Sequence, residues 1–436
     1  MISLFVKATA LLTLFSRPIA AEKAPECRYY LTRSKLDGAM RGVFAGKNFE
    51  AEEHVEAGPV VNVKSEHIKH MQLFNYVYGS EADDESIVVF GVAMMYNHRN
   101  PKTVEHLWGG EPPNPVEHAN MVRNEAYTQF CGITYQTVTP ITAGSEMYTS
   151  YGDNSWFASR NVQIAPDLPI TEIPLSELQS SGAQCLSHLY VEESEVPMAG
   201  KGVYSKASYD EGDTVYISPV LVLPKQQLRM HEDSDVLLNY CISEEGSDAA
   251  LLPIGLTGML NHGGTHSNVR MEWFTGEGDE NRLNLPLSEL EDLPFAPLDI
   301  RYVATRPIAQ GEELLLDYGT AWSQQWLQHL DRLIEWNENF SDRPLKALKP
   351  QFREPIGAPE GFFPAHFKSE CIGKASCNES PSIKRRKAFT AMHRKLKRKE
   401  LYEASKASVL DGAPAVAVDN DSGADRGAEG SIQSEL

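Results

Sequence analysis

The chain is poor in the residues that build metal clusters and membrane spans. It has six cysteines in 436 residues, and none stands in the paired spacing of a zinc site. Past residue 21 it has no apolar run near the roughly 20 residues that a membrane helix needs. Basic residues are outnumbered, 40 against 60 acidic ones, for a net charge of -20. These shortages predict no metal site, no membrane helix in the mature chain, and no direct nucleic-acid binding by the folded body.

The two ends of the chain predict different compartments. Residues 1–21 form a short apolar stretch that ends in small residues, which predicts a secretory signal and a secreted or lumenal protein. Lys7 lies inside that stretch and leaves open a buried or amphipathic N-terminal segment. Residues 381–436, basic at first and then acidic and rich in small residues, are expected to be a disordered tail. The basic part leaves a nuclear location as the alternative.

Three sequence blocks occur twice in the same order. Residues 40–45, 90–98 and 141–152 match residues 200–205, 254–262 and 308–319. The offset between them grows slowly along the chain: it is 160 from Gly42 to Gly202, 164 from Asn97 to Asn261 and 167 from Tyr151 to Tyr318. Three ordered matches predict a duplication. The predicted units are residues 27–157 and 185–322, joined by a Pro-, Ser- and Gly-rich linker, 158–184.

The local patterns predict a mainly β fold with few helices. Short β-branched and aromatic runs are separated by Gly, Pro and Asp clusters in both units. After the second unit, apolar residues repeat at three and four positions from Trp322 onward, which predicts an amphipathic helix over 323–340. A helix of this kind packs its apolar side on a core; a partner-binding groove is the alternative.

Three blocks of the second unit resemble the signatures of SET-domain methyltransferases. They are Gly200-Lys-Gly-Val-Tyr204, Leu260-Asn-His-Gly-Gly-Thr-His-Ser-Asn268, and residues 300–319, which end in Leu-Asp-Tyr-Gly. The resemblance covers most of residues 28–322. It implies two tandem SET-type β folds, each with a knot-like C-terminal segment. It also implies that S-adenosylmethionine enters one face and a lysine side chain the opposite face.

The resemblance assigns roles to five residues of the second unit. Tyr318 matches the active-site tyrosine, whose hydroxyl orients the lysine amine. Lys201, Gly202, Asn261 and His262 match the cofactor-binding positions. Glycine allows close approach of the backbone to a ligand, and the Asn amide carries both a donor and an acceptor. The neighbouring carboxylates Asp317, Glu312 and Glu313 are interpreted as structural, turn or surface groups.

The first unit keeps part of this pattern. Arg41, Gly42, Asn97, His98 and Tyr151 form a possible second site. Ser150 stands where the second unit has Asp317. Catalysis there stays open, but we favour a platform for a substrate or partner.

Two functions remain. One is an S-adenosylmethionine-dependent protein-lysine methyltransferase with a catalytic second unit and a lysine-containing protein or peptide as substrate. The other is a non-catalytic, secreted or lumenal SET-like binding scaffold. Neither unit is followed by the Cys-x-Cys cluster of histone-directed members, which argues against a histone substrate. The oligomeric state is not predicted. The sequence does not fix the disulfide pairing. Because Cys27 and Cys185 occupy matching places, one hypothesis is a bridge within each unit, to Cys131 and Cys241 respectively.

Overall fold

The computed structural model describes most of the two predicted units. The described residues are 26–36, 39–79, 85–108, 129–152, 154–160, 172–196, 199–231, 234–276, 282–340 and 352–367. The predicted signal (1–21) and tail (381–436) lie outside the described residues. The described chain is mainly β with few helices, so the predicted fold class is confirmed. No helix in these ranges is long and apolar enough to cross a membrane.

Twenty strands are described. They are β1 Tyr29–Arg33, β2 Arg41–Ala45, β3 His54–Lys64, β4 Tyr78–Gly79, β5 Glu85–Val89, β6 Asn97–His98, β7 Val104–Trp108, β8 Gln129–Thr137, β9 Glu146–Thr149, β10 Gln184–Cys185, β11 Leu189–Glu193, β12 Lys201–Ser205, β13 Thr214–Pro224, β14 Ile242–Ser243, β15 Ala249–Pro253, β16 Asn261–His262, β17 Val269–Phe274, β18 Leu298–Ala304, β19 Leu315–Leu316 and β20 Ile356–Gly357.

The helices are short except for one. They are α1 Ser65–Ile68, α2 Asn154–Arg160, α3 Leu175–Ser180, α4 Lys225–Arg229, α5 Leu287–Leu290 and α6 Gly319–Phe340. Short 3-10 segments cover Gln72–Asn75, Val92–Met95, Asp235–Tyr240, Leu256–Met259, Gly264–His266, Arg282–Asn284 and Ala365–Phe367. The helix predicted over 323–340 is present as α6, which begins four residues earlier. The predicted linker contains α3, whose Leu178 is fully buried.

The same strand pairings occur in both units. In the first unit β3 lies between β5 and β8, and in the second β13 lies between β15 and β18, all antiparallel. The hairpin β1–β2 has its counterpart in β11–β12. A two-residue parallel pair, β6 with β9, has its counterpart in β16 with β19. The equivalent strands β3 and β13 are 11 residues long and 160 positions apart, as the sequence offset requires.

The two units share one hydrophobic core. Residues 220–223 of β13 are fully buried, an unbroken apolar run of the kind found where both faces of a strand are covered. Gln72 of the first unit enters this core at 1% exposure. Its amide nitrogen donates to the carbonyls of Leu290 and Leu293, and its oxygen accepts from the N–H of Val222. Such a buried amide needs all of these partners, so it fixes how the units pack.

The disulfide joins the two units. Cys27 bonds to Cys185, with Cα atoms 5.8 Å apart. The hypothesis of bridges within each unit is therefore wrong, and Cys241 is a free, fully buried thiol. The physical reason is that β10 pairs with β1, opposite Tyr30 and Leu31, which brings the two matching cysteines together across the boundary between the units. The side chain of Cys131 lies outside the described residues.

The C-terminal segment 352–367 packs on the second unit. Its strand β20 adds to the edge of the eight-stranded sheet, parallel to β14. Phe352 lies in an aromatic cluster with Trp322, Trp326 and His329 of α6. The chain itself therefore covers the apolar side of α6 around Trp322, Trp326 and His329, as predicted for a helix that packs back on the fold.

Candidate functional site

The site residues of the second unit meet where two chain segments run side by side. β16 lies parallel to β19, with Asn261 opposite Leu315 and His262 opposite Leu316. Asn268, which is fully buried, holds the two segments together. Its amide nitrogen donates to the Glu313 carbonyl at 2.7 Å, and its oxygen accepts from the Leu315 N–H at 2.8 Å. These bonds fix the register that sets Asn261 and His262 beside residues 313–318.

The Asn261 amide nitrogen lies within hydrogen-bond distance of three acceptors. They are the Ser194 hydroxyl at 3.0 Å, the Lys201 carbonyl at 2.9 Å and Oε1 of Glu313 at 3.0 Å. An amide nitrogen has two hydrogens, so its donors are fully used inside the protein. The Asn261 oxygen accepts no hydrogen bond from the described residues, and it is the atom left for a ligand.

Glu313 is the hub of this network. It is only 4% exposed and accepts from the Ser194 hydroxyl at 2.7 Å and the Glu195 N–H at 2.9 Å, besides Asn261. The interpretation of Glu313 as a turn or surface carboxylate is wrong. A buried carboxylate requires such donors, because an unpaired charge in the interior is costly. Glu312, in contrast, is partly exposed and pairs with Arg306.

Gly202 makes room for the Glu313 carboxylate. A Cβ at position 202 would lie 2.2 Å from Oε1 of Glu313 and 2.7 Å from its carboxyl carbon. Here the absence of a side chain serves an internal contact, whereas the sequence suggested close approach of a ligand. The predicted residues Lys201, Gly202 and Asn261 are thus brought together, and Lys201 takes part through its backbone carbonyl.

His262 accepts and donates in a defined tautomer. Its Nδ1 accepts from the Tyr318 N–H at 3.0 Å, so Nε2 carries the hydrogen and faces the Ser323 hydroxyl at 3.0 Å. Burial lowers the pKa of His262 below its ordinary 6.5, and the Asp317 carboxylate, 3.9 Å away, acts weakly in the opposite direction. The imidazole is therefore neutral at neutral pH. Asp317 itself is exposed and accepts from the Gly319 N–H, a structural role as predicted.

Tyr318 is buried, with its hydroxyl directed at the backbone. The ring is 8% exposed and the hydroxyl donates to the Leu260 carbonyl. Burial, as the largest cause, raises the pKa of Tyr318 far above the usual phenol value, so the group stays neutral. Trp322 meets the Tyr318 ring edge to face at 4.8 Å and lies 5.0 Å from the His262 ring. The first turn of α6 thus forms one wall of the site.

The first unit contains the same network. The Asn97 amide nitrogen reaches the Ser34 hydroxyl at 3.2 Å, the Arg41 carbonyl at 2.7 Å and Oε1 of Glu146 at 2.9 Å. Glu146 is 1% exposed. A Cβ on Gly42 would lie 2.1 Å from its Oε1. The possible second site, in the first unit, therefore has the same hydrogen-bond network as the site in the second unit. The departures of the first unit from the sequence pattern did not suggest this.

The His and Tyr pair is also repeated. The Tyr151 N–H donates to Nδ1 of His98 at 2.9 Å, and the Tyr151 hydroxyl donates to the Tyr96 carbonyl at 2.7 Å. Trp156 of α2 packs at 4.5 Å from the Tyr151 ring, much as Trp322 packs on Tyr318.

Arg41 differs from its counterpart Lys201. Its guanidinium pairs with Asp299, a 5% exposed residue of β18 in the second unit. The Arg41 side chain therefore binds the neighbouring unit, whereas the sequence placed it in a ligand site. The described residues contain no group of three His, Cys, Asp or Glu side chains that could hold a metal ion.

The residues of these networks that sequence reasoning missed are two serines and two glutamates. Ser34 and Ser194 are 160 positions apart, and Glu146 and Glu313 are 167 apart, the offsets of the surrounding blocks. The repeat comparison therefore contained the signal, since both pairs are identical between units.

Comparison with known proteins gives partial matches only. No protein-family model matches the chain, and no curated protein matches it. A Plasmodium falciparum protein described as a candidate histone methyltransferase is similar over 30% of this chain and 99% of its own, at 20% identity and a TM-score of 0.23.

Crystal structures of an active polycomb repressive complex 2 are also similar to part of the chain. The basal state matches 29% and the stimulated state 34% of this chain, both at 18% identity, with TM-scores of 0.22 and 0.24. The match spans only 15% and 17% of the respective chains in those complexes. Each similarity is a low-identity likeness to about a third of the chain.

Proposed function

We propose that the chain consists of two tandem SET-like units and that the second, residues 185–322, transfers a methyl group from S-adenosylmethionine to a lysine amine. The observation that carries the proposal is the meeting of Gly202, Asn261, His262 and Tyr318 at the β16–β19 pair. A buried hydrogen-bond network holds these residues, which are far apart in sequence, and each unit contains its own copy of that network.

The hydrogen-bond acceptor that Asn261 presents suits the cofactor. When bound, S-adenosylmethionine supplies an activated methyl group on a sulfonium. The Asn261 oxygen, which has no donor among the described residues, is a neutral acceptor suited to the cofactor's ammonium group. The Glu313 network holds this amide in one orientation, so that little ordering is left to occur on binding.

Tyr318 suits the amine. Its hydroxyl donates to the Leu260 carbonyl, so its oxygen lone pairs remain as acceptors for an amine N–H. The raised pKa keeps the Tyr318 phenol neutral, so this group is not a phenolate that would hold the proton on the lysine amine. Free lysine has a pKa of about 10.4, so the amine must lose a proton before attack. The neutral His262 beside Tyr318 adds no negative charge that would hold this proton on the amine.

The binding-scaffold function remains a second candidate because of one observation. The Cys27–Cys185 disulfide is of a kind that persists in oxidising compartments. It supports a secretory or extracellular location, consistent with the predicted signal at 1–21, over the nuclear alternative. S-adenosylmethionine is most plentiful in the cytosol and nucleus, so this location favours the scaffold.

Calorimetric titration of the intact chain with S-adenosylmethionine tests the proposal. We expect one binding event that is lost in Asn261→Ala and kept in the matched variant Asn97→Ala. Methyl transfer to a mixed lysine-peptide pool should then fail in Tyr318→Phe and persist in Tyr151→Phe. No binding by the intact, folded chain would overturn the enzyme and leave the scaffold.

A further inference from the structure

Two buried carboxylates, Glu146 and Glu313, lie at equivalent places behind Asn97 and Asn261. Their side chains are 1% and 4% exposed. Each carboxylate accepts from one serine hydroxyl, one backbone N–H and the amide of its Asn. All of these donors are neutral, and a buried charge is costly unless an opposite charge compensates it. The groups around these donors decide how each charge is balanced.

In the first unit an arginine balances the buried charge. The Tyr148 hydroxyl donates to Oε2 of Glu146 at 3.2 Å. The Arg99 guanidinium hydrogen-bonds the same tyrosine and lies 5.3 Å from the centroid of its ring. One phenol therefore connects a positive charge of the protein to Glu146, and a cationic ligand at Asn97 would find this carboxylate already compensated.

The second unit lacks both members of this chain. By the offsets of 167 and 164, Leu315 stands in the place of the tyrosine and Gly263 in the place of the arginine. A Cβ on Gly263 would lie 2.7 Å from the Cβ of Leu315, so a longer side chain does not fit there without displacing that leucine. The neighbouring carboxylate Glu312 takes Arg306, and Glu313 forms no ion pair within the described ranges.

The Asn261 oxygen is the atom that carries the effect of Glu313 to a ligand. The Asn261 amide nitrogen faces the Lys201 carbonyl and the Glu313 carboxylate. A reversed amide would set oxygen against both of these acceptors, so the oxygen stays on the ligand side and requires a donor. The negative charge one side chain behind it favours a donor that is positively charged, because charges in a buried site are weakly screened.

We propose that Glu313 makes the second unit selective for a ligand that places a positively charged amine at the Asn261 oxygen, and that Arg99 removes this selectivity from the first unit. Glu313 is a positioning residue, since it acts through Asn261 and through its charge. This inference rests on the proposed function, in which that amine is the ammonium group of S-adenosylmethionine. It assigns the difference between two units with the same network to one compensating charge.

The test is calorimetric titration of the intact chain with three ligands. They are S-adenosylhomocysteine, its analogue with a hydroxyl in place of the amine, and its analogue with a hydrogen there. The amine ligand should bind about tenfold more tightly than the hydroxyl ligand, because hydrogen bonds of charged groups are the stronger ones. The hydroxyl ligand should in turn bind more tightly than the hydrogen ligand, which offers no donor.

Variants of the two carboxylates separate charge from shape. Glu313→Gln should reduce the amine-to-hydroxyl affinity ratio to about threefold or less, since the amide carries no charge. Glu313→Asp keeps the charge and should keep most of the ratio. The matched variant Glu146→Gln should retain the wild-type ratio. Circular dichroism verifies that each variant is folded, and the wild-type ratio needs no variant.

Three results would overturn the inference alone. They are a wild-type ratio near one, a wild-type ratio retained in folded Glu313→Gln, and an equal fall of the ratio in Glu146→Gln. Binding of none of the three ligands by the folded wild-type chain would reject the proposed function and this inference with it. The expected ratios without methyl transfer to lysine peptides would reject only the enzyme and keep the selectivity of the site.

Discussion

The Glu313 carboxylate occupies the space in which a side chain on residue 202 would begin, since a Cβ there would meet its Oε1 at 2.2 Å. The same relationship holds between Glu146 and Gly42 at 2.1 Å. In each unit one missing side chain permits one buried charge, and that charge orients the Asn of the site.

Substitution Gly202→Ala should therefore destabilise the protein and disturb Asn261. Forcing an extra methyl against a buried carboxylate costs about 1 to 3 kcal/mol of unfolding free energy. Urea denaturation followed by fluorescence measures this loss. The matched control is Gly79→Ala, where the new methyl meets open space and stability should change by less than about 0.5 kcal/mol. Equal effects of the two substitutions would contradict the crowding at 202.

Loss of the disulfide should lower stability substantially. The Cys27–Cys185 bond closes a loop with a sequence separation of 158. Removing a native disulfide typically costs about 2 to 5 kcal/mol. Cys27→Ser and Cys185→Ser should lose the same amount in thermal or urea unfolding. Dithiothreitol should bring the wild-type chain to the level of these variants and leave the variants unchanged. A further fall in the reduced variants would indicate another bond.

Glu56 should make stability depend on pH in an unusual direction. Its side chain is 9% exposed, one oxygen accepts from the Val92 N–H at 2.8 Å, and burial raises its pKa from 4.5 to about 7. The folded state then binds a proton that the unfolded state releases. The contribution of Glu56 to the free energy of unfolding is complete below pH 4.5. It falls by about 3 kcal/mol as the pH rises to 7, and it stays low above pH 7.

Glu56→Gln should remove that slope. The amide keeps an acceptor for Val92 and carries no charge at any pH, so the variant should be more stable than wild type at pH 8 and similar at pH 4. Urea unfolding at a series of pH values is the measurement. A variant with the wild-type slope between pH 4.5 and 7 would assign the proton uptake to another group.

His262 should titrate below free histidine. Burial disfavours its protonated form, and protonation at Nδ1 would also remove the acceptor of the Tyr318 N–H. Proton NMR of the ring C–H signals, assigned by comparison with His262→Gln, should show a midpoint under 6.5. Stability from the neutral ring is then present above pH 6.5 and is lost as pH falls through the folded pKa. A midpoint above 6.5 would mean that Asp317 outweighs burial.

The sequence predicted the elements better than it predicted the contacts between them. Offsets between repeated blocks matched the positions of equivalent strands, and the period of three and four predicted α6, because both patterns are local. The burial of Glu313 was not predictable in this way. Its partners, Ser194 and Asn261, lie 119 and 52 positions away, and no local pattern distinguishes a glutamate in a turn from one that receives three donors.

The disulfide pairing was not predicted from the sequence for a related reason. Matching positions of Cys27 and Cys185 suggested parallel bridges within each unit, since each unit was considered separately. The pairing of β10 with β1 depends on how the units pack, which is fixed by buried contacts such as those of Gln72.

The bond between the units also sets an order of events during synthesis. Cys27 emerges from the ribosome early, but its partner follows 158 positions later, after the whole first unit has been made. Cys131 emerges in between and is the nearer thiol along the chain. The native bond thus forms only after translation has passed the first unit. Formation of this bond therefore requires that Cys27 be a thiol at the time when Cys185 emerges.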